Sequence, residues 1–133
     1  RHTRYGTVTG VQTCALPILV VDGSAIVRLD IKGDTLSERS RLLHWGDAPH
    51  QAWGEQLRLS ADGDRIFVSD TQRHRVVLLD AASFKPVAEF GTIDRAGPGE
   101  NQFSAPGSVA ISGDRAIVAD TGNQRIVKLR IVP

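Results

Sequence analysis

Three aspartates recur along the chain at a nearly constant spacing. Asp22, Asp70 and Asp120 are separated by 48 and 50 residues. Carboxylate oxygens are the ligands that hard divalent cations prefer, so a column of them near one axis could hold a cation. In turns, however, an Asp side chain commonly accepts backbone N–H hydrogen bonds. We expect this structural role, with Arg75 and Arg125 as partners that pair with a carboxylate and pack their stems between sheets.

Two other groups of residues have the right types for chemistry but the wrong spacing. His44, Asp47 and His50 are side chains that zinc accepts, yet their spacing matches no ligand signature and Pro49 places them in a loop. Gly97-Pro98-Gly99 lacks the following helix that a dinucleotide site needs, so we interpret it as a loop. The sequence contains no nucleophile-elbow, zinc-protease or P-loop motif. It therefore predicts no catalytic residue, no metal site and no cofactor.

Composition limits the class of protein rather than its function. The 133 residues carry 16 Lys and Arg against 15 Asp and Glu, with 41% hydrophobic residues and one Cys. A charge near zero disfavours a dedicated nucleic-acid binder, and a single Cys excludes an internal disulfide framework. No apolar run approaches the length of a membrane span. The composition thus favours one small globular domain and identifies neither its partner nor its compartment.

The first eighteen residues have an unusual origin. Val8 to Ile18, VTGVQTCALPI, resembles the in-frame translation of a common short-read sequencing adapter, and Arg1 to Arg4 resembles its flanking primer. We interpret residues 1–18 as an adapter-derived artefact with no native fold, which removes Cys14 from consideration. Ile18 occupies the position of Ile66 in the repeat described next, and it could extend a strand there by accident.

An internal repeat organises the rest of the chain. Gly63 to Asp80, GDRIFVSDTQRHRVVLLD, aligns without a gap with Gly113 to Arg130, GDRAIVADTGNQRIVKLR, at an offset of 50 with nine identities in eighteen positions. A third, shorter copy, LVVDGSAIVRLD, spans Leu19 to Asp30; its turn is two residues shorter, and Ala25 replaces the repeat Arg. Self-similarity at a fixed period indicates a repeat architecture.

Each copy has the pattern of short antiparallel strands. Leu57 to Ser60 alternates apolar and polar residues, Ile66 to Val68 and Val76 to Leu79 are β-branched or aromatic runs, and Pro86 to Phe90 is a plausible outer strand. Asp62-Gly63 supplies hairpin turn chemistry. Four short strands in every ~50 residues are typical of a propeller blade.

The turn between the middle strands resembles that of the NHL-repeat family, whose hallmark is a D-T-G-N-x-R-[IV] segment. VADTGNQRIVKLR carries this segment closely and VSDTQRHRVVLLD less so. The linker Phe90 to Ser112 also resembles the stretch between NHL blades. The earlier linker is a degenerate version with the sequence LHWGDAPHQAWGEQLRLS. In this version Trp45-Gly46 corresponds to Phe90-Gly91, and Trp53 corresponds to Phe103. The signature residues are Asp70, Thr71, Arg75, Asp120, Thr121, Gly122, Asn123 and Arg125.

The resemblance implies an all-β fold, namely a partial β-propeller with about two and a half four-stranded antiparallel blades. Family members are closed propellers, usually with six blades. We therefore expect residues 19–133 to be an NHL-type propeller fragment with blades at about 19–46, 53–91 and 103–133. Missing blades would be its natural packing partners, because terminal blades expose apolar surface.

For function the resemblance leaves two alternatives. The first is a non-catalytic scaffold that recognises a protein, a glycan or a small ligand through rim loops. The second is a fragment of a metal-dependent lyase or lactonase whose catalytic residues lie mostly in missing blades. Ser60 and Ser112 stand on the inner strands where an enzyme would place His, Glu or Asn, which favours the scaffold. The candidate rim loops are Asp70 to His74 and Asp120 to Gln124 at one end, and the long segment Gly91 to Pro106 is the other candidate. The aromatics Trp45, Trp53, Phe90 and Phe103 are expected to pack between blades, and the candidate rim-binding residues are Gln72, Arg73, His74 and Gln124.

Overall fold

The computed structural model describes residues 18–132, and in this range the protein consists of three antiparallel sheets of three, four and three strands. The predicted all-β class is confirmed. The interpretation of residues 1–17 as adapter-derived lies outside the described residues. Ile18 is described and pairs with Leu29, so it extends the first strand by one residue.

Between residues 18 and 132, ten strands and three single 3₁₀ turns follow one another. In the first sheet, β1 is Ile18–Asp22, β2 is Ala25–Lys32 and β3 is Thr35–Leu42. In the middle sheet, β4 is Leu57–Asp62, β5 is Arg65–Asp70, β6 is Arg75–Asp80 and β7 is Pro86–Gly91. In the third sheet, β8 is Val109–Ser112, β9 is Arg115–Asp120 and β10 is Arg125–Arg130. The 3₁₀ turns are Pro49–Gln51, Thr71–Arg73 and Thr121–Asn123.

Neighbouring strands within each sheet are also neighbours in sequence, so each sheet is a meander. The offset of 50 residues makes β4, β5 and β6 equivalent to β8, β9 and β10. The short first copy makes β1 and β2 equivalent to β5 and β6, and β3 then corresponds to β7. Within the described residues, the first sheet has no counterpart of β4 and the third sheet has none of β7.

The middle sheet packs against a neighbour on each face, which explains its continuous apolar strands. Ile66 and Val68 of β5 belong to a cluster with Ile26 of the first sheet. Phe67 belongs to a second cluster with Ile111 of the third sheet. All of these side chains except Ile111 have 0% exposure. Strands that are buried on both faces read as apolar runs rather than alternations.

The outermost strand of the first sheet was not predicted. The sequence of β3, TLSERSRL, is mostly polar, and six of its eight residues are exposed. The strand forms because it pairs with β2 along its length, with a bulge at Arg28 and Leu29. No helix among the described residues is both long and apolar enough to cross a membrane.

Candidate functional site

The middle sheet contains a buried ion pair between the end of β5 and the start of β6. Arg75 Nε donates to Asp70 Oδ2 at 2.9 Å, and both side chains have 0% exposure. The other carboxylate oxygen, Oδ1, accepts the backbone N–H of Gly54 at 3.0 Å. Arg75 also donates to the carbonyls of His50 and Ala52, each at 2.7 Å. The pair therefore holds the linker that leads from the first sheet into β4.

The third sheet repeats this arrangement fifty residues later. Arg125 Nε donates to Asp120 Oδ2 at 2.8 Å, and Asp120 Oδ1 accepts the N–H of Ser104 at 2.7 Å. Arg125 donates to the carbonyls of Pro98 and Gln102, both at 2.9 Å. Asp120 is fully buried, whereas the Arg125 side chain is 35% exposed. The two ion pairs thus make equivalent contacts with the linker before them, and the second pair is more exposed to solvent.

The first copy of the repeat lacks this pair. Asp22 is 65% exposed and contacts Arg41 of β3 at 3.0 Å instead of a repeat Arg. Only Gly23 and Ser24 separate β1 from β2, and Ala25 has no group that could pair. Asp22 therefore belongs to the repeat by position and not by contact.

Burial sets the electrostatics of the first pair. Loss of water raises the pKa of the Asp70 carboxyl above its ordinary value, and the hydrogen bond and charge of Arg75 offset this only in part. The Arg75 guanidinium also lies 5.1 Å from the ring centre of Trp45 and 5.7 Å from that of Trp53. The two indoles meet edge to face with centres 4.6 Å apart. Arg75 Nη1 also donates to Glu89 Oε1 at 3.1 Å, so the guanidinium is held by two carboxylates, two carbonyls and two aromatic faces.

The aromatic residues at the linkers pack between sheets. Trp53 is 6% exposed in the cluster between the first and middle sheets, and Phe103 is 3% exposed in the cluster between the middle and third sheets. Trp45 and Phe90 are half-buried at the margins of these clusters. Phe90 meets Phe67 edge to face with ring centres 6.1 Å apart.

Sequence reasoning missed a second repeated contact in the linkers. Gln51 Oε1 accepts the N–H of Ala48, and Gln102 Oε1 accepts the N–H of Gly99, each at 3.0 Å. In both loops the glutamine amide lies against a glycine, Gly46 and Gly97, where a Cβ would come within 2.4 Å of it. The recurrence of Gly-x₄-Gln was the signal that could have identified this contact.

This contact also corrects the linker alignment. The glutamine loops make Trp45-Gly46 equivalent to Ala96-Gly97, so the correspondence expected with Phe90-Gly91 is wrong. Phe90 and Gly91 end β7, where Gly91 pairs with Arg75. The Trp-Gly and Phe-Gly pairs look alike in sequence, but one lies in a loop and the other in a strand.

The candidate rim-binding residues lie in two equivalent loops, which we call the rim loops, residues 71–74 and 121–124. Each begins with a 3₁₀ turn and ends with a left-handed residue, His74 at φ 59° and Gln124 at φ 54°. Thr71 donates to the carbonyl of Pro106 at 2.6 Å. His74 Nδ1 accepts the N–H of Ala105 at 3.0 Å.

The four candidate side chains differ in how free they are. Arg73 is engaged by both Asp94 oxygens, at 2.9 and 2.7 Å, and by the carbonyls of Pro49 and Ala52. Gln72 is exposed and accepts the N–H of Glu55 at 2.8 Å through Oε1. Gln124 is exposed. The rim loops therefore offer two amide side chains to solvent, while Arg73 and His74 help to build the loops.

The remaining candidates for chemistry are apart or engaged. Among residues 18–132 no three His, Cys, Asp or Glu side chains are close enough to hold a metal ion, and this range includes His44, Asp47 and His50. Ser60 Oγ accepts the N–H of Ile111 at 3.2 Å and so joins β4 to β8. Ser112 is exposed at the end of β8. Gly97, Pro98 and Gly99 form a loop whose carbonyls bind Asn123 and Arg125.

No protein-family model matches the chain, and no curated protein matches it either.

Proposed function

We propose that residues 19–133 are part of an NHL-type β-propeller that acts as a non-catalytic binding scaffold. The support for the propeller is the order of the structure: three sheets stack face to face, each is a meander, and equivalent contacts recur at a 50-residue spacing. Four-stranded antiparallel meanders that pack only on their neighbours are the units of propellers.

One observation carries the binding role. Between the second and third copies of the repeat, the aspartates of the signature, Asp70 and Asp120, are identical and fully buried, and their arginines bind the linkers. The residues that differ, Gln72 against Gly122 and His74 against Gln124, stand in the rim loops. A fixed frame that presents variable loops at one end is the usual design of a recognition surface.

The rim loops lie next to one another because one short segment contacts both. Ala105 donates to His74, and the carbonyl of Ser104 accepts the N–H of Gly122 at 2.7 Å. Gln72 and Gln124 carry side-chain amides, which both donate and accept hydrogen bonds. Such groups match the amides of an extended peptide, so a peptide segment of a protein is the ligand class that we favour over a glycan or a small molecule.

The experiment is a selection of displayed random peptides on the immobilised chain, followed by fluorescence polarisation with each selected peptide. The double variant Gln72→Ala, Gln124→Gly removes both amides, and glycine suits the left-handed backbone at 124. We expect its affinity to fall at least tenfold. Lys85→Ala, in the turn between β6 and β7 at the opposite end of the sheet, is the matched control and keeps full affinity. Selection of no peptide, or equal affinity of both variants, would contradict the proposal.

A further inference from the structure

The first sheet has an apolar face that points away from the middle sheet. Val20 pairs with Val27 in one register and Ile31 pairs with Leu36 in another, which places these side chains on one face. Val20, Ile31 and Leu36 are 40%, 43% and 55% exposed, whereas Val27 on the central strand is buried, with 2% exposure. At the equivalent position in the middle sheet, Val68 is completely buried against a neighbouring sheet. We call this surface the first outward face.

The first outward face carries a net negative charge. Arg41 lies across it and contacts Glu38 at 2.8 Å and Asp22 at 3.0 Å. Two carboxylates thus share one guanidinium, which leaves one unit of negative charge beside the apolar side chains.

The third sheet has an apolar face at the opposite end of the stack, which we call the third outward face. Ile117 and Ile126 are 46% and 63% exposed there. Lys128 pairs with Ile117, and Arg130 pairs with Arg115, so three basic residues share this face. Asp114 contacts the two arginines at 4.0 and 3.4 Å from the adjoining turn. The face lines a shallow groove of about 530 Å³, and its charge is net positive.

The interior of the molecule shows how such a face is covered. Ile117 and Ile126 stand fifty residues after Phe67 and Val76, which are completely buried between the middle and third sheets. Lys128 stands at the position of Arg28 in the first copy. Arg28 reaches across to the next sheet, where it donates to the carbonyl of Ala81 at 2.6 Å. The positions equivalent to Ile117, Ile126 and Lys128 therefore contact the following sheet wherever one is present.

We propose that two copies of the chain associate head to tail, with the third outward face of each copy packed on the first outward face of the other. The apolar residues of one face meet those of the other, and the basic residues Arg115, Lys128 and Arg130 meet the acidic excess at Asp22 and Glu38. Two head-to-tail contacts between two copies close a ring of six sheets, which lies within the four to eight blades of closed propellers. The association shares the propeller architecture with the proposed function but does not depend on a ligand.

The first experiment measures mass. Size-exclusion chromatography with multi-angle light scattering on the 133-residue chain should give twice the 14.4 kDa chain mass across a range of concentrations. Ile126→Glu should shift the protein to monomer, or raise the dissociation constant at least tenfold, and so should Val20→Glu. Val87→Glu replaces a 65% exposed valine in β7, away from both outward faces, and should remain dimeric. Circular dichroism confirms that each variant keeps its β-structure.

The second experiment separates a head-to-tail contact from any other dimer. Ile126→Glu damages only the third outward face and Val20→Glu damages only the first, so a mixture restores one intact interface. We expect each variant alone to be monomeric and the equimolar mixture to contain a one-to-one dimer. A monomeric wild type, a mass that grows beyond dimer with concentration, or a mixture that stays monomeric would overturn the proposal. A selected rim peptide that still binds such monomers would leave the proposed function standing.

Discussion

Removal of Arg75 should strongly destabilise the described part of the chain. Arg75→Ala leaves the Asp70 carboxylate buried with one backbone N–H donor. It also removes the guanidinium donor of the His50 carbonyl and leaves the Ala52 carbonyl with Arg73 as its remaining guanidinium donor. Breaking a buried ion pair by removing one partner costs about 3–5 kcal/mol of unfolding free energy. That is a large share of the stability of a small domain.

The equivalent arginine provides the comparison. Arg125→Ala breaks the same contacts, but the Arg125 side chain is 35% exposed, so water can take over part of its role. We expect a loss of about 1–2 kcal/mol. Arg75→Lys keeps the charge but loses the planar fork, and should fall between wild type and Arg75→Ala. Arg58→Ala, at an exposed position of β4, should stay within about 0.5 kcal/mol of wild type.

The assay is urea unfolding followed by tryptophan fluorescence, which reports directly because Trp45 and Trp53 lie beside Arg75. The loss in Arg75→Ala should also shrink at lower pH. Without the guanidinium the already raised pKa of Asp70 rises further, and a raised folded-state pKa contributes stability that is lost as the pH rises through it. The variant should therefore be relatively more stable at pH 5 than at pH 7. Equal losses in Arg75→Ala and Arg125→Ala, or a loss below about 1 kcal/mol at Arg75, would refute the reasoning.

Two further predictions concern single positions. At Gly91, where φ is +94°, a Cβ would lie 2.7 Å from Phe103 Cδ2, so Gly91→Ala should lower the free energy of unfolding in urea by about 1–3 kcal/mol. Gly63 has a φ of +62° but no atom near a Cβ, so Gly63→Ala should lower it by only about 1 kcal/mol. Equal losses in the two variants would be inconsistent with a steric cause. The hydrogen bonds from Arg73 lower the pKa of Asp94 in the folded state. The stability that this carboxylate contributes is therefore fully present at a pH above the ordinary pKa of Asp, and it is lost as the pH falls through the lowered pKa. Asp94→Asn should flatten the acid limb of stability against pH, and an unchanged limb would show that the contact is not maintained in solution.

Most of the strand pattern could be predicted because burial leaves a mark on sequence. The 50-residue offset and the apolar runs located β5 and β6 to within a few residues, and the gapless alignment placed β9 and β10. The polar strand β3 could not be predicted, because its stability comes from pairing with β2 rather than from its own side chains. A strand at the edge of a terminal sheet has no buried face to impose alternation.

The candidate site was predictable in its composition and less so in its contacts. The recurrence of Asp and Arg indicated a pair, but only the structure shows that the pair binds the preceding linker at Gly54 and Ser104 as well as its own turn. Those partners lie 16 residues upstream, and nothing in a local pattern specifies them. The rim-binding role of Gln72 and Gln124 stays a prediction, as does the membership of the NHL family.

The short sequence distance over which each Asp–Arg pair makes its contacts also affects how the number of sheets in such a chain can change during evolution. Each pair binds a linker that precedes it by at most 27 residues, so one 50-residue segment contains both the ion pair and the linker that it holds in place. If such a segment is duplicated or deleted with its boundary just before the linker, every buried aspartate keeps its arginine and its linker. A gene could gain or lose sheets in this way at little cost to folding, whereas a cut between the linker and β5 would leave a charge without its partners.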